Sequence, residues 1–119
     1  MDSILGSVKK SLGLEPTYDA FDTEIIMHIN SVLSNLWQLG VGPETGFSIE
    51  DDSATWEQFL EQDNRYNVVK TYIYLRVRLL FDTPSASTAV AAIQEQIKEQ
   101  EWRINVTQET LVPPSIPSS

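Results

Sequence analysis

The sequence predicts an all-α fold: a small helical bundle of about four to five helices with a long central helix, followed by an extended C-terminal tail. Three observations predict it. Apolar residues recur at three- and four-residue spacing through most of the chain, capping patterns precede several of these segments, and the one segment that alternates like a strand has no second strand to pair with. At 119 residues the chain makes one domain, able to bury about two-thirds of its unfolded surface without staples.

Ile4, Leu5, Val8 and Leu12 fall at helical spacing behind a cap at Asp2 or Ser3, and Gly13 ends this short first helix. Pro16 enforces a break. The next segment, FDTEIIMHINSVLSNLWQLG, carries an apolar stripe of Ile25, Ile29, Val32, Leu33, Leu36 and Leu39 opposite Glu24, His28, Ser31, Asn35 and Gln38. Asp22 is placed to cap it, Phe21 to staple against Ile26, and Glu24 to meet the positive end of the helix dipole. Gly40 stops it, with Val41 folding back on Leu36 as a Schellman ending requires. VGPETGFSIEDDS, residues 41 to 53, is a loop anchored by Phe47 and Ile49. Thr55-Trp56-Glu57-Gln58 fits a capping box that opens a short helix presenting Trp56, Phe59 and Leu60 to the core.

VKTYIYLRVRLLFD, residues 69 to 82, sorts both as an alternating strand and as a helix. A strand of that length is about twice the usual and would leave its backbone groups unsatisfied without a partner. A helix from about Asn64 to Asp82 satisfies them internally, and its wide apolar arc places it at the centre of a bundle. The last helix starts near Pro84 with Thr83 or Ser85 as cap and runs on Ala86, Val90, Ile93, Ile97 and Ile104, with Glu99 and Arg103 set for an i,i+4 pair. Residues 1–106 form the helical domain, and the Pro/Ser-rich residues 107–119 form the extended tail.

The composition excludes more function classes than it selects. Seventeen acidic against eight basic residues give a formal charge of −9, which opposes binding to phosphate backbones. The beginning of the chain reads as neither a secretory signal nor a membrane span. There is no cysteine, and His28 is the only histidine, so neither a clustered metal site nor a His-dependent triad is available. Glu50, Asp51 and Asp52 lack the spacing of a calcium loop, no serine sits in a G-x-S-x-G elbow, and Gly40-Val41-Gly42 lacks the rest of a dinucleotide fingerprint. No catalytic set, cofactor site or metal site emerges. Arg76 stands on the apolar arc of the central helix, where it needs an internal acid, a rim position or a neighbouring subunit. Trp37 and Trp102 read either as core aromatics or as interface anchors.

The runs FDTEIIMHINSVLSNLWQLGVGPETGFSI, ATWEQFL, VKTYIYLRVRLLFDTPSAS and IQEQIKEQEWRINV, in this order over residues 1 to 106, resemble the phage head-tail connector proteins, also called head-completion adaptors or small DNA-packaging proteins. The resemblance implies a virion protein, assembled in the host cytoplasm as a homo-oligomeric ring under the portal protein and following its twelvefold symmetry. Such a ring extends the DNA channel, lets DNA pass without sequence-specific binding, and offers a docking platform to a downstream stopper or tail-completion protein. By analogy, Gly40, Pro43, Phe47 and Asp51 in the loop, with Arg76 and Arg78, are expected subunit or portal contacts. Leu111 and Ile116 belong to a tail expected to act as a docking arm from Val106 onward. The competing reading is a small acidic cytoplasmic helical module that masks a basic partner.

Overall fold

A computed structural model describes residues 3–15, 17–61, 65–81 and 85–111, with side chains through residue 106. Five helices follow one another: α1 (Ile4–Ser11), α2 (Asp22–Gln38), α3 (Trp56–Leu60), α4 (Tyr66–Phe81) and α5 (Ser87–Leu111). The all-helical bundle is the fold that the spacing of the apolar residues predicts.

The cap of α1 is Ser3, whose hydroxyl accepts the Gly6 N–H at 2.9 Å. Ile4, Leu5 and Val8 turn inward, and so does Lys9, which is only 2% exposed. A buried ammonium needs a counter-charge, and Asp22 supplies it with 2.8 Å between Lys9 Nζ and Asp22 Oδ1. This corrects the expected start of α2. Asp22 is its first helical residue, Phe21 occupies the cap position, and no side chain there caps the helix. The carboxylate is drawn sideways to α1 instead of back onto its own amides. The Phe21 ring packs edge-on against Tyr18 and Phe81, with centroids 5.8 and 5.4 Å away.

The C-terminus of α2 follows its sequence signature. Gly40 sits at φ +82°, the Gly40 N–H donates to Trp37 O at 3.0 Å, and the Val41 N–H donates to Leu36 O at 2.9 Å. Those are the two bonds of a Schellman motif. The capping box of α3 is complete: Thr55 Oγ1 accepts from the Gln58 N–H, and the Thr55 N–H donates to Gln58 Oε1. The starts of α1 and α3 are stitched together by the Ile4 N–H donating to Ala54 O at 3.0 Å and by an antiparallel bridge between Ser3 and Thr55. Trp56 is buried behind this seam, and its Nε1–H donates to Ser7 Oγ at 3.0 Å.

α4 is the pillar. It packs against α1, α2 and α5 and buries Val69, Tyr72, Ile73 and Val77. Burying each such side chain contributes about 1.5–3 kcal/mol, which is why a helix with a wide apolar arc belongs at the centre. Phe81 meets Phe21 at one end and Arg65 Nη2 donates to Gly40 O at 3.3 Å at the other, so α4 runs antiparallel to α2. α5 runs antiparallel to α4, with the Tyr72 hydroxyl donating to Glu101 Oε2 at 3.0 Å and Arg76 beside Ile97. Among the described side chains of α5, Ile97 and Ile104 are buried, and the expected Glu99–Arg103 pair forms on its outer side at 2.9 Å. The helix continues to Leu111, five residues past the point where the tail was expected to begin. The first proline of the tail in the sequence is Pro113, two positions beyond Leu111. Residues 82–84, expected at the turn into α5, lie outside the described residues.

Candidate functional site

The loop between α2 and α3 is short on regular structure but tightly held. Asn30, from the middle of α2, grips it like a backbone surrogate: its Nδ2–H donates to Ile49 O at 3.0 Å and its Oδ1 accepts the Ile49 N–H at 2.8 Å. Ile49 is 2% exposed, so both groups would otherwise be buried without partners. A turn from Pro43 to Gly46 is closed by the Gly46 N–H donating to Pro43 O at 2.9 Å. Phe47 stacks on Phe59 at 5.2 Å, and Gly42, at φ +94°, lies so close to that ring that an added Cβ would stand 2.6 Å from it. Asp51 is exposed and accepts from both the N–H and the hydroxyl of Ser53, at 2.9 and 2.6 Å, which holds its carboxyl below the usual carboxylate range.

Four of the expected contact residues, Gly40, Pro43, Phe47 and Asp51, therefore share one braced loop. The two arginines are not brought together. Arg78 is exposed in the last turn of α4, whereas Arg76 lies half-buried at the seam with α5, its guanidinium 5.6 Å from the Tyr72 ring centroid. Arg76 thus has an intramolecular partner in the π face of Tyr72. It also lines a groove of about 430 Å³ with Leu79, Gln94, Ile97, Lys98 and Glu101. Burial pushes the Tyr72 hydroxyl up to about 12, against the opposing pull of Arg76 and with further upward push from Glu101. Leu111 ends α5, with its side chain outside the described part, and Ile116 lies outside the described residues.

The three tryptophans divide. Trp56 is 1% exposed, but Trp37 is 48% and Trp102 65% exposed. Trp37 Nε1–H donates to Glu44 O at 2.9 Å, which fixes the indole as one wall of a groove of about 340 Å³ between α2 and the loop; Phe47 stands in the lining with Asn30, Ser34, Thr45 and Ser48. Trp102 projects from α5 with Val106, also exposed, one turn further on. Sequence reasoning missed Asn30, Lys9 and Arg65. His28, half-buried, stands 3.5 Å from Glu24 on the polar side of α2. Among the described residues there is no group of three or more His, Cys, Asp or Glu that could hold a metal ion, and no helix is long and apolar enough to cross a membrane.

The described residues thus form a small all-helical bundle with a braced loop between α2 and α3 and two solvent-exposed tryptophans, Trp37 and Trp102. The phage connector protein family model matches residues 4–110, from the first residue of α1 into the last turn of α5, and the chain belongs to that family. The family is a structural one, so the protein is a component of the phage particle. No curated protein and no solved structure matches the chain.

Proposed function

We propose that this protein is the head-tail connector that assembles as a ring under the portal, extends the DNA channel, and presents the platform on which the next head-completion or tail protein docks. The observation that carries this reading is the family match, which takes in all five helices and therefore the whole bundle. The exposed Trp102 and the 40–52 loop supply two surfaces of the kind a ring subunit presents to its neighbours and to the portal. The ring follows the portal's twelvefold symmetry. A chain of net charge −9 would let DNA pass without holding it. Arg76 and Arg78 are contact residues in this scheme, and the tail is an arm that engages the portal.

The test is reconstitution on DNA-filled capsids that carry a portal and lack this protein. Electron microscopy after adding the purified chain should show a ring of density under the portal, and a Trp102→Ala chain should load less well. Absence of the added chain from the portal vertex would overturn the proposal, and its binding instead to a soluble basic protein would favour a masking module.

A further inference from the structure

We propose that the groove between α4 and α5 receives the acidic turn Glu50–Asp52 of a neighbouring copy of the chain, held there by Arg76 and Lys98. This rests on the ring reading and deepens it, since it says which two surfaces of the subunit meet.

The groove gathers positive charge that the chain has little of. Of its eight basic residues, four are engaged inside the subunit: Lys9 is sealed against Asp22, Arg65 donates to Gly40 O, Lys70 lies over the Trp56 and Tyr66 rings, and Arg103 pairs with Glu99. Of the other four, Arg76 and Lys98 line the one groove of about 430 Å³, with Leu79 and Ile97 as its apolar lining. A guanidinium carries five N–H donors, and the Tyr72 ring, 5.6 Å from that of Arg76, offers them no oxygen. Among the described residues, no acid stands within ion-pair distance of Arg76. Glu101, the carboxylate in the lining, has its Oε2 taken by the Tyr72 hydroxyl. Lys98 is mostly exposed, and its contact with Glu95 is long, at 3.9 Å. Two cations thus face the groove with capacity for a carboxylate.

The turn is the complement. Residues 50–53 are all exposed, and three of the four are acids. Asp51 takes both bonds from Ser53 on Oδ1, which leaves Oδ2 over. The Asn30–Ile49 bonds before the turn and the Ile4–Ala54 bond after it fix its ends, so little order has to be gained on docking.

Placement makes the occupant a second copy. Tyr74 meets Trp56 of α3 edge-on at 6.1 Å, whereas Tyr72 reaches Glu101 of α5. Two positions on a helix are about 200° apart, so α3 and α5 flank α4 on opposite sides. Glu50 and Asp51 share a hollow with Gln58 of α3, which puts the turn on the flank away from the groove. The turn therefore cannot fill the groove of its own molecule. Two unlike surfaces on opposite flanks are what a head-to-tail contact requires, and such contacts close into rings.

The chain has no cysteine, so a direct test can use introduced ones. A chain carrying Asp52→Cys and Lys98→Cys, loaded on portal-bearing capsids and treated with a short bis-maleimide, should give a ladder of joined chains, and either cysteine alone should give none. Lys98→Glu and Asp52→Lys, both at exposed positions that the fold does not depend on, should each lower occupancy of the portal vertex about two- to fivefold at limiting chain. The chain carrying both reversals should load better than either single variant. Absence of the wild-type chain from the vertex would overturn the ring reading and this contact with it. A wild-type ring that yields no ladder would overturn this contact alone, and so would single variants that load like wild type. A double variant no better than the singles would assign the groove to an acid of the portal and overturn the contact as well.

Discussion

Asn30→Ala should be the most damaging single change available on the polar side of α2. Asn30 makes two hydrogen bonds to the backbone of Ile49, at 2.8 and 3.0 Å, and Ile49 is 2% exposed. Alanine removes both bonds and leaves a buried N–H and a buried C=O behind, each at about 1–3 kcal/mol, so the sum is about 2–4 kcal/mol once partial access of water is allowed for. With an unfolding entropy of about 2.1 cal/mol/K per residue, a chain of 119 residues loses roughly 4 °C of melting temperature per kcal/mol. The expected fall is therefore about 8–16 °C, read by circular dichroism at 222 nm in thermal unfolding. Asn30→Asp keeps the acceptor for the Ile49 N–H but sets a carboxylate against the Ile49 carbonyl, so it should not recover the wild-type value. A melting temperature for Asn30→Ala within about 2 °C of wild type would refute the reasoning, since surface substitutions away from special features change stability by only about 0.5 kcal/mol.

Gly42→Ala and Gly46→Ala form a matched pair: both sites have φ above +90°, but the new methyl would stand 2.6 Å from the Phe59 ring at Gly42 and meet nothing within 4 Å at Gly46. Gly46→Ala should cost about 1–2 kcal/mol in urea unfolding through backbone strain alone, and Gly42→Ala clearly more, because Phe59 must leave its place in the core. Tyr72→Phe should flatten the alkaline limb of the stability profile. The Tyr72 pKa is raised from 10.0 to about 12 in the folded chain, so its contribution is fully present below pH 10 and is lost as pH rises towards 12. The variant is expected to be less stable than wild type at neutral pH, where it lacks the bond to Glu101, and the gap should narrow between pH 10 and 12 when unfolding is followed with urea.

What the sequence reveals here is what neighbours along the chain decide. The Schellman ending at Gly40–Val41 and the box at Thr55–Gln58 involve partners within five residues, and both appear as the residue types require. The central helix is legible because only internal hydrogen bonding could satisfy residues 69 to 81. Asp22 was misleading because its decisive partner, Lys9, comes from another helix, and no local pattern announces a charge that crosses between helices. Asn30 escaped for the same reason: it sits among polar positions of α2 and looks solvated, yet it reaches 19 residues ahead to Ile49. Arg76 was correctly marked as anomalous on an apolar arc, but its resolution depends on the ring of Tyr72 one turn earlier and on the approach of α5. Gly40, Pro43, Phe47 and Asp51 lie in one loop, whereas Arg76 and Arg78, two residues apart on a helix, point to different sides of it.

The uneven placement of the three indoles gives the protein two separate optical channels. Trp56, sealed behind the α1–α3 seam, should emit at short wavelength and resist acrylamide until the bundle unfolds. Trp37 and Trp102 should emit further to the red, and Trp102, 65% exposed, should be quenched readily in the free subunit. Shielding of the red component with the blue one unchanged would thus report association, and loss of the blue component would report denaturation, within a single emission spectrum.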